Sequence, residues 1–328
     1  MTGPGTALVT GIAGQDGIYL ARLLMAAGHR VVGTVRPGGD GAQRVAAYLP
    51  GVEVVSQDLR DAAGMSDVVR RWEPDEVYNL AAFSSVGRSW AEPDVARQTN
   101  CDAVGALVDA ALATQAATGR EIRFFQASSA EVRGAAADSP YARAKAEAEA
   151  IVRDARDHRG LHASIGILHN HESPLRGTAF VTRKITLGAA EIALGRRDHL
   201  ALGNLDVSRD WGFAGDYVTA IHAMVRYDAP TELTIGTGTP HTLEQLLVTA
   251  FAAAGIADPA PYVRQDPELM RPVDAAFLVA DPEPAAAALG WRATTSFEDL
   301  VAHMVRVDLR RLRTGVVDDP GYLDPSAR

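Results

Sequence analysis

The 328-residue chain contains a single cysteine, Cys101. That excludes an intramolecular disulfide framework and any cysteine-rich zinc or iron–sulfur centre, and leaves Cys101 as a small buried helix residue. Aromatic residues make up only 6%, and no uninterrupted apolar run is long enough for a membrane helix. Positive charge is not in excess either. A net charge of −9 argues against a nucleic-acid groove, although a local basic cluster can still hold a phosphate-bearing small molecule. The strand-like "ALVT" arrives within the first ten residues without a basic or apolar leader, so the expected location is the cytoplasm, with no membrane partner.

What is present is an ordinary globular balance of 47% hydrophobic and 22% charged residues, over a length that allows about two domains. The first half alternates apolar runs with alanine-rich helical stretches: "ALVTG", "GIYLARLLMAAG", "RVVGTVR", "VEVVSQDL", "AAGMSDVVRRW", "EVYNLAA", "DAVGALVDAALATQ" and "IRFFQAS". This rhythm predicts an α/β fold, a Rossmann-type doubly wound parallel sheet whose strands are apolar on both faces. A helix "YARAKAEAEAIVRDARDH" and a strand "HASIGIL" complete it, giving a first domain over 1–168. The remainder, 169–328, reads as a smaller mixed α/β lobe, with a segment at about 205–228 returning to the first domain. In that lobe "GNLDVSRDWG" reads as a polar loop, Thr295-x-x-Glu298 has the spacing of a capping box, and the tail "VVDDPGYLDPSAR" is expected to be loosely held.

Gly11, Gly14 and Gly17 lie between the first strand and the first helix. Such a triplet allows a tight turn and seats a pyrophosphate on the helix N-terminus, although a tight turn needs glycine whatever it binds. At the end of the second strand stands Arg36, where an NAD site usually has an acid. That choice favours NADP over NAD, while Asp40 nearby leaves NAD open and a solvated arginine is the plainer reading. Asp58 and Leu59 are placed to meet an adenine, and Leu80, Ala81 and Ala82 to line the path of a ribose and nicotinamide.

"SPYARAK" puts Tyr141 and Lys145 on one helix face, where an ammonium can stabilise the phenolate that a base at neutral pH requires. After a nucleotide-binding half, this is the pattern of the short-chain dehydrogenase/reductase superfamily. "QASSAEVRG" adds Ser128, Ser129 and Glu131 at a strand's C-terminal end, where open α/β sheets place ligands. Glu131 is either a solvated loop acid or a general base. Plain hydride transfer has no need of a second base, so Glu131 points beyond it.

These strings, with "YNLAAFSSVG", "NHESPLRGTAFVTRKIT", "LGNLDVSRDWGFAGDYV", "RPVD" and "LGW", resemble the GDP-mannose 4,6-dehydratase family, extended short-chain dehydrogenase/reductases, over nearly the whole chain. The resemblance implies NADP-dependent conversion of a GDP-sugar, with GDP-mannose first, to its 4-keto-6-deoxy product, using Ser129, Glu131, Tyr141 and Lys145 as catalytic residues. It adds Gln15, Asp16, Ser84, His171 and Arg176 to the cofactor set, and implies Ser84, Asn170, Val181, Lys184, Arg209, Arg271 and Asp274 as substrate contacts. No metal is implied. The "HNHE" at 169–172 has zinc-like atoms but no third clustered ligand and no chemistry calling for a Lewis acid, and His169 stands where the family has phenylalanine.

Some features depart from the family. The segment between Glu131 and Tyr141 is short, so the lid over the sugar must differ, and "PGGDGAQ" after Arg36 lacks the basic segment that reaches a neighbouring subunit. The expected assembly is therefore a homodimer through "DAVGALVDAALA" and "YARAKAEAEAIV" rather than a tetramer. Phe83, Ser85, Leu175 and Asp274 also differ from the family and bear on which sugar or base is recognised. Two other readings stand beside the first: a related dehydratase or epimerase of another nucleotide hexose or a GDP-heptose, and a non-catalytic NADP-binding sensor. The four catalytic residues argue against the sensor, because together they share one chemical role.

Overall fold

The computed structural model describes residues 4–133, 137–269 and 277–325. The chain divides into two compact units. The first comprises Met1–Leu168, Val218–Ile235 and Glu283–Trp291; the second comprises His169–Tyr217, Gly236–Pro282 and Arg292–Arg328.

Six strands of the first unit follow in chain order: β1 (Thr6–Thr10), β2 (Arg30–Val35), β3 (Glu53–Ser56), β4 (Glu76–Asn79), β5 (Arg123–Ser129) and β6 (His162–Leu168). The strand Glu232–Ile235 joins beside β6, and the spatial order is Glu232–Ile235, β6, β5, β4, β1, β2, β3, all parallel. The doubly wound sheet expected from the alternating sequence is present. β1, with Ala7, Leu8 and Val9 fully buried, carries apolar side chains toward both faces, as a strand covered by helices must. On one face Leu8, Val77, Phe124 and Ile165 pack against Met65 and Val69 of helix Ala62–Trp72, Leu107 and Val108 of helix Ala103–Thr118, and Val152 of helix Pro140–His158.

The chain order reverses direction between β1 and β4, and that is the crevice where such sheets bind ligands at their C-terminal ends. The returning segments differ from the stretch at about 205–228 expected from sequence. The return begins at Val218, inside helix Ala214–Arg226, and a second return, Glu283–Trp291, carries the short helix Glu283–Leu289. The physical reason is β6: it needs a partner on its outer edge, and Glu232–Ile235 supplies it with Leu233 opposite Gly166 and Ile235 opposite Leu168.

The second unit has its own core, in which Ile185, Leu200, Trp211, Leu247, Phe251 and Val301 are buried together. The stretch read as a polar loop holds a strand, Ser208–Phe213, paired in parallel with Asn170–Glu172 and antiparallel with Pro240–Thr242. Its polar residues hid it: Arg209 and Asp210 are buried, Asp210 completely. The helix cap lies one residue beyond the Thr295 expected from sequence. Ser296 is the N-cap of helix Phe297–Thr314 and accepts from the Asp299 amide, and Gly315 closes that helix at φ 73°. The tail is held more firmly than its composition suggested, since Tyr322 and Leu323 are buried and the Tyr322 hydroxyl donates to the Val316 carbonyl. Among the described residues no helix is long and apolar enough to cross a membrane.

Candidate active site

The glycine turn is built by steric necessity. Gly11 has φ 68°, and a Cβ there would meet the Ala81 backbone at 2.9 Å. A Cβ on Gly17 would lie 2.6 Å from the Gly11 carbonyl oxygen and from Ile12, so the helix Gln15–Ala26 can pack this close only through glycine. Gly14 is the N-cap and offers no side chain to the first-turn amides. A turn kept free of side chains beneath uncapped helix amides is a fit for a pyrophosphate. Gln15 and Gly17 are buried within this turn, with Asp16 between them.

Arg36 is exposed just beyond β2, and Asp40 is the N-cap of helix Gly41–Tyr48. The Asp58 carboxylate is gripped by Arg60, whose Nη2 lies 2.7 Å away. Hydrogen bonding from Arg60, with smaller contributions from the Arg60 and Arg36 charges, lowers Asp58 to about 2. Leu59 beside it is buried.

A feature not anticipated from sequence braces the next segment. The Thr10 hydroxyl oxygen accepts from the amides of Leu80 and Ala81, both at 3.1 Å, and the hydroxyl donates to Asn79 Oδ1 at 2.7 Å. Asn79 Nδ2 donates to Gln126 Oε1, and Gln126 Nε2 to the Ala127 carbonyl. Lys145 Nζ donates to that same carbonyl at 2.8 Å. A hydrogen-bonded chain thus crosses the C-terminal ends of β1, β4 and β5 and ends on Lys145. Asn100, buried in the π-turn Gln98–Asp102, similarly ties down Phe83 by accepting from its amide and donating to its carbonyl, next to Ala82 and the exposed Ser84. The only signals for these braces were polar residues in otherwise apolar strands and helices.

Ser129 ends β5, and its hydroxyl oxygen accepts from the Glu131 amide at 3.3 Å, within the 3-10 turn Ala130–Arg133. Tyr141 and Lys145 begin helix Pro140–His158, set by Pro140 in its first turn and by the Ser139 cap on the Ala142 amide. Both are buried, at 8% and 4% exposure, which is rare for a lysine. Burial pulls the Lys145 ammonium down to about 8, with the Glu149 charge acting in the opposite sense. The fold therefore gathers the glycine turn, the 80–84 segment, Ser129, Glu131, Tyr141 and Lys145 along one edge of one sheet.

The other expected residues belong to the second unit. Asn170 lies on strand Asn170–Glu172 opposite Trp211, two residues beyond the buried Arg209. The His171 ring stacks on Tyr217 at 4.6 Å, with Nδ1 2.7 Å from the His169 carbonyl oxygen. Arg176 lies over the Phe180 ring at 3.7 Å, and its Nε is 3.1 Å from Glu172. Val181 and Lys184 open helix Val181–Ala193, whose N-cap Phe180 offers no side-chain acceptor. Arg271 and Asp274 lie outside the described residues. His169 is buried, and burial holds its imidazole below the usual range. Among the described residues, the one group of three with metal-ligand spacing is His29, Glu76 and His222, at the N-terminal end of the sheet. Its carboxylate is already engaged by the Tyr78 hydroxyl and by Arg226, a competing cation.

The family described as GDP-mannose 4,6 dehydratase matches residues 8–304. GDP-mannose 4,6 dehydratase 2 of Arabidopsis thaliana is 38% identical, over 97% of this chain and 91% of its own. The GDP-mannose 4,6-dehydratase of Sinorhizobium fredii is also 38% identical, over 95% and 99%. Among solved structures, the dTDP-glucose 4,6-dehydratase DesIV of Streptomyces venezuelae, with NAD and TYD bound, superposes with a TM-score of 0.80 at 25% identity, over 94% of this chain and 98% of its own. The Thermus thermophilus UDP-glucose 4-epimerase, in complex with NAD, gives 0.79 at 25% identity, over 95% and 100%.

Proposed function

The chain belongs to the GDP-mannose 4,6-dehydratase family, and from that premise we propose that it removes water from a GDP-hexose, GDP-mannose first, to leave the 4-keto-6-deoxy sugar. The observation that supports this best is the joint placement of Ser129, Glu131, Tyr141 and Lys145 at the C-terminal end of β5 and the start of the following helix. A nicotinamide dinucleotide, when bound, supplies the acceptor and later the donor of one hydride, so the sugar undergoes no net oxidation. Gly11, Gly14 and Gly17 would hold its pyrophosphate, with Gln15, Asp16, Asp58, Leu59, Leu80, Ala81, Ala82, Ser84, His171 and Arg176 as further contacts. Arg36 at the end of β2, with no acid there, supports NADP over NAD.

Tyr141 takes the proton of the sugar 4-hydroxyl, its phenolate stabilised by the Lys145 ammonium. Ser129 donates a hydrogen bond to the carbonyl oxygen that develops at C4. The 4-ketone acidifies C5. Glu131 removes the C5 proton and assists departure of the C6 hydroxyl as water, and C5 regains a proton as C6 becomes a methyl group. Arg209, Lys184, Asn170, Ser84 and the Val181 backbone would hold the diphosphate and nucleoside, with Arg271 and Asp274, because a diphosphate requires cations and oriented donors. A homodimer through helices Ala103–Thr118 and Pro140–His158 belongs to the same reading and is checked by light scattering.

Incubation with GDP-, UDP-, dTDP- and CDP-hexoses, followed by mass spectrometry for loss of one water, tests the reaction. Turnover of GDP-mannose is expected. If only another nucleotide hexose is turned over, the substrate assignment falls; if none is dehydrated, the function falls.

A further inference from the structure

Helix Pro140–His158 carries a stripe at four-residue spacing, Tyr141, Lys145, Glu149 and Arg153, of which the proposed chemistry uses only the first two. Glu149 is 2% exposed, a position a carboxylate rarely holds without a purpose or several partners. Its partners come from three directions. Ser128 Oγ, at the end of β5 and adjacent to Ser129, donates to Oε1 at 2.5 Å. Arg153 Nη2 donates to Oε2 at 2.7 Å from the same helix. Arg133, on the 3-10 turn that bears Glu131, reaches both oxygens at 3.4 Å. Glu232, on the strand beside β6, closes the knot by accepting from Arg133 at 3.0 Å and from Arg153 at 2.8 Å.

Resting on the function proposed above, we propose that Glu149 is a positioning residue of the active site. It locks the Glu131 turn and the end of β5 onto the Tyr141 helix, and it holds Lys145 in its ammonium form. The knot contains two carboxylates and two guanidiniums, so its charge is balanced beside a buried third cation. With Glu149 neutralised, Arg133 and Arg153 would be left with Glu232 alone, and an uncompensated positive charge would face Lys145. From β5, Lys145 meets the neutral Ala127 carbonyl, while the Ser128 hydroxyl turns to Glu149. Glu147, also on this helix, is engaged with Arg97 and Cys101. Among the described residues, Glu149 is thus the carboxylate whose charge supports the ammonium.

The test uses the full chain. Lys145 and Lys184 are its only lysines, so lysine labelled with carbon-13 at Cε gives two resonances, and Lys145 can be titrated without any sugar substrate. Glu149→Gln should lower the pH at which Lys145 loses its proton by about one unit. In turnover it should cut kcat about tenfold, leave the KM for the nucleotide sugar within about twofold, and move the alkaline limb of the pH profile down with the lysine. Glu149→Asp, which keeps the charge on a shorter arm, should restore the alkaline limb while kcat stays below wild type. Arg133→Met severs only the tie to the turn at a half-exposed side chain, and should lower kcat with KM unchanged. An unmoved Lys145 titration in Glu149→Gln overturns the proposal, and so does a wild-type kcat in Arg133→Met, which decides alone if the first variant does not fold. Should the wild-type protein dehydrate nothing, the proposed function fails, while the lysine titration still decides whether Glu149 holds the charge.

Discussion

Lys145 is one of two lysines in a chain that otherwise meets its need for cations with thirty arginines. An arginine cannot lose its proton in a protein and carries a planar fork, whereas an ammonium is compact and responds to burial. The buried position beside Ala127 therefore calls for lysine specifically, and burial brings that lysine from 10.5 down to about 8. The folded-state value lies below the unfolded one, so the charged form costs stability at every pH below about 8, and the cost fades as pH rises toward 10.5. Lys145→Met removes that cost without stranding the Ala127 carbonyl, which keeps the Gln126 side-chain donor. The variant should be inactive yet more stable at neutral pH by about 3 kcal/mol at most, a gain that shrinks between about pH 8 and 10.5. Urea unfolding at pH 7 and 10 checks this, and equal gains at both values would contradict it. For Glu131 the expectation differs, because its role is confined to elimination. Glu131→Gln should keep NADPH binding, and its dehydration rate should fall by a factor of roughly 100 to 10,000. Stopped-flow binding beside mass-spectrometric turnover separates the two; dehydration at the wild-type rate would remove Glu131 as the base.

At the scale of elements, the local signals that survive folding are those whose partners lie nearby in sequence. Gly11 and Gly17 could be read directly, because the positive φ of Gly11 and the contacts of Gly17 with Gly11 and Ile12 are local to the turn, although the close approach of Ala81 to Gly11 is not. The Tyr141 helix was equally plain from the spacing of Tyr141 and Lys145, and the cap and proline that start it lie in the same run. Strand Ser208–Phe213 was not legible, because its pairing partners are 30 or more residues away and its buried Asp210 is satisfied by the amides of Thr237, Gly238 and Ala280. Nothing in a single stretch of sequence announces that kind of compensation. The start of helix Phe297–Thr314 is a finer case, in which two adjacent residues both suit an N-cap and only geometry selects Ser296. Ser296→Ala should destabilise the protein by about 1 kcal/mol while Thr295→Ala costs little. Thermal melts of the two variants check the order, and a reversed order would place the cap on Thr295.

At the scale of the whole molecule, the alternation of strands and helices revealed six strands of the sheet and the edge on which the site lies, but not how the chain finishes that sheet. The seventh strand and its helix come after the second unit has begun, and they are bound into the first unit by more than sheet pairing. The Ser164 hydroxyl donates to the Met224 carbonyl, and its oxygen accepts from the Thr231 amide. Arg123 donates to the carbonyls of Val225 and Tyr227, and Arg226 pairs with the buried Glu76. Glu232 completes the Arg133, Arg153 and Glu149 knot behind the catalytic helix. A chain ending at Leu168 would leave β6 as an open edge, expose the apolar surface beneath Ile221 and Val225, and bury Glu76 without its cation. Such a fragment contains every residue of the glycine turn and all four catalytic residues, yet it should neither unfold cooperatively nor bind NADPH. Joining 218–235 to it through a flexible linker should restore a cooperative melt and a shift of that melt with NADPH. Circular dichroism of the two fragments, with and without the dinucleotide, decides the matter: cooperative unfolding of the 1–168 fragment alone would show that the returning strand is an addition to the nucleotide-binding unit rather than part of it.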